Sequence, residues 1–154
     1  MIWKKKYDLK KYILLFPFCS VNLSHKKWPY YKDLISLINK NNAEIKLVVA
    51  PSPNEIEESK KFNVRVILKY NKALTITQLA GLIHDAQFVI SNDTGPAHMA
   101  AHLGVKGVTL FGYHTTPKKV SIETDKFKAI IKNNLNELSA EEVYSNISKE
   151  LSLV

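Results

Sequence analysis

Cysteine and long apolar runs are both scarce in this chain of 154 residues. Cys19 is the only cysteine, so the chain can form no internal disulfide and no cysteine-rich metal cluster. No apolar run approaches the roughly 18 residues that a membrane-spanning helix needs, and the charged start at residues 1–8 is not followed by a cleavable apolar segment. We therefore expect a protein of a reducing, cytoplasmic compartment, without a signal peptide.

Arginine is nearly missing, although the formal net charge is +8. Arg65 is the single arginine among 22 basic residues, and arginine is the side chain that makes bidentate contacts to bases and phosphates. Nucleic acid is therefore not an expected partner. The lysines are spread along the chain, which favours a solvated surface. Attraction to an anionic membrane surface or lipid is the alternative.

Glycine-rich phosphate loops and metal motifs are missing as well. No Gly-x-Gly-x-x-Gly follows the first predicted strand and no Walker-type Gly-Lys-Ser/Thr occurs, so hydride transfer and phosphoryl transfer from ATP lose support. No Asp-x-Asp pair is present to hold Mg²⁺ on a nucleotide. His98 and His102 have the spacing of a zinc pair, but no third ligand is evident nearby. We expect no metal and no other cofactor.

Short apolar segments alternate with helical patterns along the chain. Strands are predicted at residues 12–16, 45–50, 64–68, 88–90, 108–111 and 127–131, and helices at about 30–41, 55–61, 75–86, 97–104 and 139–151. This alternation predicts an α/β fold with a doubly wound, mostly parallel sheet of about six strands, Rossmann-like in architecture. We expect one domain over residues 1–154, with a polar lead-in at 1–11, the core at 12–120 and a C-terminal helix at 139–151.

The stretch from Phe88 to Gly112 has the clearest pattern. A buried strand is followed by the polar turn Ser91-Asn-Asp-Thr94, and then by Gly95 and Pro96, which suit close backbone approach and the first position of a helix. Polar residues after a parallel strand lie at its carboxyl end, where open α/β sheets bind ligands. The helix that begins here directs N–H groups and its positive dipole end at that place, so we predict an anion site, typically for a diphosphate.

Three side chains of this turn are candidates for ligand contacts. Thr94, with the N–H groups near Gly95, and His98 could bind the phosphates, while Asp93 could orient the turn or bond a ligand hydroxyl. An ordinary capped helix with a surface histidine uses the same residue types. The residues alone leave both interpretations open.

Two groups from other predicted loops should open on the same edge of the sheet. Lys26, after the first strand, could offset the charge that grows on a leaving diphosphate. Glu55, after the second strand, could bond a ribose hydroxyl. Either residue could also be an exposed side chain near the start of a helix.

Three segments together resemble a known family. Residues 91–104, Ser-Asn-Asp-Thr-Gly-Pro-Ala-His-Met-Ala-Ala-His-Leu-Gly, followed by Val-Thr-Leu-Phe-Gly at 108–112, resemble the donor-binding motif of the heptosyltransferases, glycosyltransferase family nine. Lys-Lys-Trp-Pro at 26–29 is similar to the family's Lys-x-Trp-Pro. Residues 74–80 resemble the start of the helix before the motif. The resemblance covers about residues 12–120.

The resemblance implies one half of a two-domain GT-B enzyme that transfers heptose from an ADP-sugar donor to a lipopolysaccharide acceptor without a metal. A lipid acceptor would place the protein peripherally on the inner face of the cytoplasmic membrane. The resemblance assigns donor binding to Asp93, Thr94, Gly95, His98, Ser20 and Glu55, and stabilisation of the departing ADP to Lys26.

The match to the family is incomplete in two places. Thr116 stands where the family's loop usually has the Asp of Thr-Asp-Pro. The chain also resembles only the C-terminal half, so the acceptor-binding domain and its carboxylate base would come from a separate N-terminal domain or subunit. The alternatives are a non-catalytic nucleotide or nucleotide-sugar binding module, derived from a degraded or split transferase, and a GT-B-like UDP-sugar epimerase.

Overall fold

Strands that alternate with helices build one parallel sheet in this computed structural model, which describes residues 5–113 and 122–154. The strands of the described part are β1 (Tyr12–Phe16), β2 (Lys46–Val49), β3 (Arg65–Val66), β4 (Phe88–Asn92), β5 (Gly107–Phe111) and β6 (Phe127–Ile131). Their order across the sheet is β3-β2-β1-β4-β5-β6, and all neighbouring pairs are parallel. The predicted doubly wound, Rossmann-like sheet is confirmed.

The predicted helices are confirmed with small changes at their ends. They are α1 (Tyr31–Asn41), α2 (Ile56–Ser59), α3 (Ile76–His84), α4 (Gly95–His102) and α5 (Ala140–Leu151). Short 3₁₀ segments lie at Val21–Lys26, Pro53–Glu55, Lys60–Phe62 and Leu135–Glu137. The first of these replaces a predicted loop. Within the described residues, no helix is both long and apolar enough to cross a membrane.

Both faces of the sheet are covered, and β1 shows why its sequence is continuously apolar. Successive side chains of a strand point to opposite faces. Ile13 and Leu15 therefore pack in the core beneath α1 and α5, whereas Leu14 and Phe16 pack in the core beneath α3 and α4. All five residues of β1 are buried, as is typical of a central strand in a parallel sheet.

Two of the helices begin with a capping box. Ser139 Oγ accepts a hydrogen bond from the Glu142 N–H at 3.1 Å, and the Ser139 N–H donates to the Glu142 carboxylate at 3.1 Å. Thr75 and Gln78 form the same reciprocal pair at α3. The edge strand β3 is shorter than predicted and contains only Arg65 and Val66. Asn63 before it has a left-handed conformation, and a turn with positive φ at Tyr70 and Asn71 follows.

Gly107 is a position at which the packing of the sheet leaves no room for a side chain. A Cβ atom there would lie 2.5 Å from the Val89 carbonyl oxygen and 2.6 Å from a ring carbon of Phe127. We expect Gly107→Ala to lower the free energy of unfolding by about 1–3 kcal/mol, because backbone and a buried ring would have to move. Chemical denaturation followed by circular dichroism measures this change.

Gly95→Ala is the matched control, since a Cβ atom at Gly95 meets nothing within 4 Å. Its stability should stay close to that of the unmodified chain. Equal stability of the Gly107 and Gly95 variants would contradict the tight β4–β5–β6 packing.

Candidate functional site

The loops after β1 and β4 open where the connections of the sheet reverse direction. β1 and β4 are neighbours in the centre. The helix that follows β1 packs on one face of the sheet, and the helix that follows β4 packs on the other. In open α/β sheets such a switch point leaves a crevice at the carboxyl ends of the strands, where ligands bind.

A polar cleft of about 460 Å³ lies in this crevice. Its walls come from the loops after β1, β2 and β4, as the sequence predicted for the candidate residues. The lining residues include all seven of those candidates: Lys26, Asp93, Thr94, Gly95, His98, Ser20 and Glu55. The structure therefore brings together every side chain that the sequence analysis had singled out as a donor contact.

An apolar pocket of about 290 Å³ adjoins the polar cleft and was not predicted. Four residues line both cavities: Ser52, Glu55, Thr94 and Pro96. The remaining walls of the pocket are mostly apolar side chains: Phe16, Phe18, Ala50, Pro51, Pro53, Leu74, Ile76 and Leu79. Ile76, in the first turn of α3, is 77% exposed although it lines this pocket, and its place in an apolar helical pattern gave no sign of that exposure.

Asp93 lies between two basic side chains at the wall of the polar cleft. Lys26 Nζ is 3.2 Å from Asp93 Oδ2, and His98 Nε2 is 3.6 Å from Oδ1. The Asp93 side chain is 4% exposed and that of Lys26 is 21% exposed. A carboxylate this far from water needs cationic or hydrogen-bonding partners to offset its desolvation. Asp93 thus orients both basic groups, and the predicted convergence of Lys26 with this turn is observed.

The start of α4 offers fewer N–H groups than the sequence suggested. The N–H groups of Ala97 and His98 both point to the Thr94 carbonyl oxygen, at 3.0 and 3.4 Å, and Pro96 has no N–H. Gly95 is the first helical residue, and a residue in that position has no intrahelical acceptor for its N–H. An anion here would meet the helix dipole, the Gly95 N–H and nearby side chains.

The Thr94 hydroxyl is not used as a helix cap. Its oxygen lies 3.4 Å from Ser91 Oγ and 3.4 Å from the Asn92 carbonyl oxygen, both long contacts. A hydroxyl with such weak internal bonds at the wall of a cleft can donate to a ligand at little cost. The ordinary capping interpretation of Thr94 therefore does not describe this turn.

Glu55 has a structural role as well as its place in the cleft. One of its carboxylate oxygens accepts a hydrogen bond from the Ser52 N–H at 2.9 Å, which closes a capping box. The side chain still lines both cavities. Ser20 precedes the 3₁₀ segment Val21–Lys26 and makes no side-chain cap bond there.

Asn92 is a buried residue of this site that the sequence analysis missed. Its Oδ1 accepts a hydrogen bond from the Trp28 N–H at 3.3 Å, and its Nδ2 donates to the Phe18 carbonyl oxygen at 3.3 Å. The residue is fully buried. The one available signal was a primary amide at the end of an apolar strand, because a buried amide must find partners.

The spaced histidine pair and the single cysteine of the sequence both lie within the described residues. Across residues 5–113 and 122–154, no group of three or more His, Cys, Asp or Glu side chains is placed to hold a metal ion. His102 Nδ1 lies 2.7 Å from the His98 carbonyl oxygen. Burial raises the pKa of the Cys19 thiol, which disfavours its thiolate form. Thr116, where the sequence departs from the heptosyltransferase loop, lies outside the described residues.

Comparison with solved structures finds this fold in longer proteins. The E. coli heptosyltransferase WaaC with ADP superposes with a TM-score of 0.79 at 24% identity, over 91% of this chain and 44% of that chain. The E. coli ADP-heptose lps heptosyltransferase II gives 0.80 at 18% identity, over 99% of this chain and 50% of that chain. The chain therefore spans about half the length of these structures.

A second group of structures is less similar. The UDP-GlcNAc 2-epimerase from Methanocaldococcus jannaschii superposes with a TM-score of 0.62 at 17% identity, over 92% of this chain and 39% of that chain. A search of curated proteins by sequence finds no match.

A family model identifies the group to which the sequence belongs. The model of glycosyltransferase family 9 (heptosyltransferase) matches residues 3–149, which is nearly the whole chain and includes every residue of the cleft. The chain therefore belongs to glycosyltransferase family 9, the heptosyltransferase family.

Proposed function

We propose that this chain binds the nucleotide-sugar donor of a glycosyl transfer reaction, and that the donor is an ADP-sugar. The observation that carries the proposal is the pair of adjoining cavities at the switch point, one polar and one apolar, which share a wall at Glu55 and Thr94. Structures of the same fold contain ADP and ADP-2-deoxy-2-fluoro heptose. Such ligands have a flat aromatic base and a charged diphosphate, and so match the two cavities in chemistry.

The two cavities give the ligand a direction. The apolar pocket, with Phe16 and Phe18 in its walls, suits a planar base, which gains most from apolar contact. Glu55 stands at the junction, where a ribose hydroxyl could donate to its carboxylate. The diphosphate then lies in the polar cleft, beside Thr94 and the start of α4.

The same arrangement supports departure of the diphosphate without a metal. In the proposed reaction an acceptor hydroxyl attacks the anomeric carbon, the bond from that carbon to the phosphate oxygen breaks, and ADP leaves with the electron pair. Lys26 is held beside Asp93 at the wall of the polar cleft, with His98 on the other oxygen of the same carboxylate. The positive charge of Lys26 is thus fixed close to the place where negative charge would grow on the diphosphate. The hydroxyl proton passes to a base on a separate acceptor-binding domain or subunit.

The cellular context follows from the acceptor. We propose a cytoplasmic protein that acts in lipopolysaccharide core synthesis and contacts the inner face of the membrane when it meets a lipid acceptor. The net charge of +8 supports this contact, because lysines near an anionic surface are attracted to it.

Loss of the Lys26 charge should weaken ADP binding. We expect Lys26→Met to raise the Kd for ADP by about 10- to 100-fold, because the change removes one cation and leaves the Asp93 carboxylate facing the phosphates. Isothermal titration calorimetry measures the effect. Lys40→Met is the matched control, since Lys40 is an exposed lysine in the last turn of α1. Equal affinities for both variants would contradict the role of Lys26.

The Thr94 hydroxyl should contribute a smaller part of the affinity. We expect Thr94→Val to raise the Kd for ADP by about two- to tenfold with little change in stability, because the hydroxyl caps no helix N–H. Thr109→Val is the control. Its hydroxyl is buried in β5 without a hydrogen-bond partner in the described structure, so its removal should leave the Kd unchanged. If the Thr94→Val variant binds ADP with unchanged affinity, the Thr94 hydroxyl does not contact the ligand and this part of the proposal is wrong.

Two measurements separate the alternatives. The epimerase-like structures favour a UDP-sugar as second candidate, so competition between ADP and UDP tests the base, and we expect ADP to bind at least about tenfold more tightly.

The half-length chain favours a non-catalytic binding module as the other candidate. We expect heptose transfer from ADP-heptose once an acceptor-binding domain is supplied; donor binding without transfer would identify the module.

A further inference from the structure

The amide of Asn92 joins two distant segments at the carboxyl edge of the sheet. Asn92 is the last residue of β4 and is fully buried. Its Nδ2 donates to the Phe18 carbonyl oxygen and its Oδ1 accepts from the Trp28 N–H, each at 3.3 Å. A single side chain therefore holds both ends of residues 19–27.

The segment held in this way carries the part of the cleft that β1 contributes. Cys19, Ser20 and Lys26 all lie within it and line the cleft. Residue 93, directly after Asn92, binds Lys26 through its carboxylate at 3.2 Å. Neighbouring residues of one turn thus fix the backbone of the segment and the position of its cation.

We infer that Asn92 is a positioning residue: by holding residues 19–27, it keeps the Lys26 side chain where it can contact an anion in the cleft. This inference rests on the proposed function, because it assumes that Lys26 contacts the bound diphosphate. Other contacts keep the fold without the amide. Trp28 Nε1 donates to the Leu138 carbonyl oxygen at 2.7 Å, and Phe18 packs edge-on against the Phe62 ring.

A double-mutant cycle tests whether Asn92 acts through Lys26. Calorimetry with ADP is performed on the Asn92→Ala, Lys26→Met and combined variants. We expect Asn92→Ala alone to raise the Kd by about five- to tenfold, and to change it by less than about twofold when Lys26 is already replaced. Independent, multiplying effects would overturn the inference, as would an unchanged Kd in the single variant.

Labelling of Cys19 provides a readout that does not depend on ADP. Cys19 is the only thiol in the chain, and it lies in the segment that Asn92 holds, partly buried. We expect a thiol reagent to label the Asn92→Ala variant about tenfold faster, because the segment opens more often. An unchanged rate would overturn the inference even if ADP binds. If labelling of the Asn92→Ala variant is faster but the unmodified chain does not bind ADP, the proposed function is contradicted. The role of Asn92 in holding residues 19–27 would still stand.

Loss of stability alone is controlled with Val143→Ala. Val143 is fully buried in α5, where it packs in the core between the sheet and the helices α1 and α5. This variant should lower the thermal midpoint without altering the ADP affinity or the Cys19 labelling rate. If both the ADP affinity and the labelling rate changed in Val143→Ala, the effects of the Asn92 substitution would be assigned to lost stability. If Asn92→Ala does not fold, Asn92→Ser, which keeps a small polar group at that place, is carried through the same measurements with the same expected directions.

Discussion

The parallel pairing of β1 with β4 is the constraint on which the candidate site depends. Its register pairs Phe16 with Ser91, so the carboxyl ends of the two strands lie next to each other and the loops that follow them begin side by side. The helices that follow then diverge to opposite faces of the sheet and leave the crevice between them. A shift of one residue would turn every β4 side chain to the other face, and Asp93 would no longer meet Lys26.

The cleft holds an ion pair before any ligand arrives. The nearly buried Asp93 carboxylate lies 3.2 Å from Lys26 Nζ, with His98 Nε2 3.6 Å from its other oxygen, so a diphosphate would share Lys26 with Asp93 and would not meet an isolated positive charge. The Asp93 carboxylate therefore weakens the net attraction between the cleft and a diphosphate. In return the basic groups stay fixed, and fixed groups stabilise charge that develops during a reaction without having to reorganise.

The sequence predicted the strands, the helices and the convergence of Lys26 with Asp93, because hydrophobic periodicity and the carboxyl-end rule are local or topological signals. It did not predict the Asn92 bonds, whose partners are 74 and 64 residues away along the chain. The apolar pocket was missed for the same reason, since its walls come from four separate segments of the chain, within residues 16–18, 50–55, 74–79 and 94–96. Glu55 shows a further limit: a capping box and a ligand contact require the same residue type.

The division between donor binding and transfer has a physical basis in the cleft itself. Glycosyl transfer needs a base within hydrogen-bond reach of the acceptor hydroxyl. Among the described residues, two carboxylates line the polar cleft, and each already has partners: Asp93 faces Lys26 and His98, and Glu55 accepts a hydrogen bond from the Ser52 N–H. Under the proposed function the base would therefore come from the acceptor side of the crevice, whereas the groups proposed to bind the donor lie in this chain.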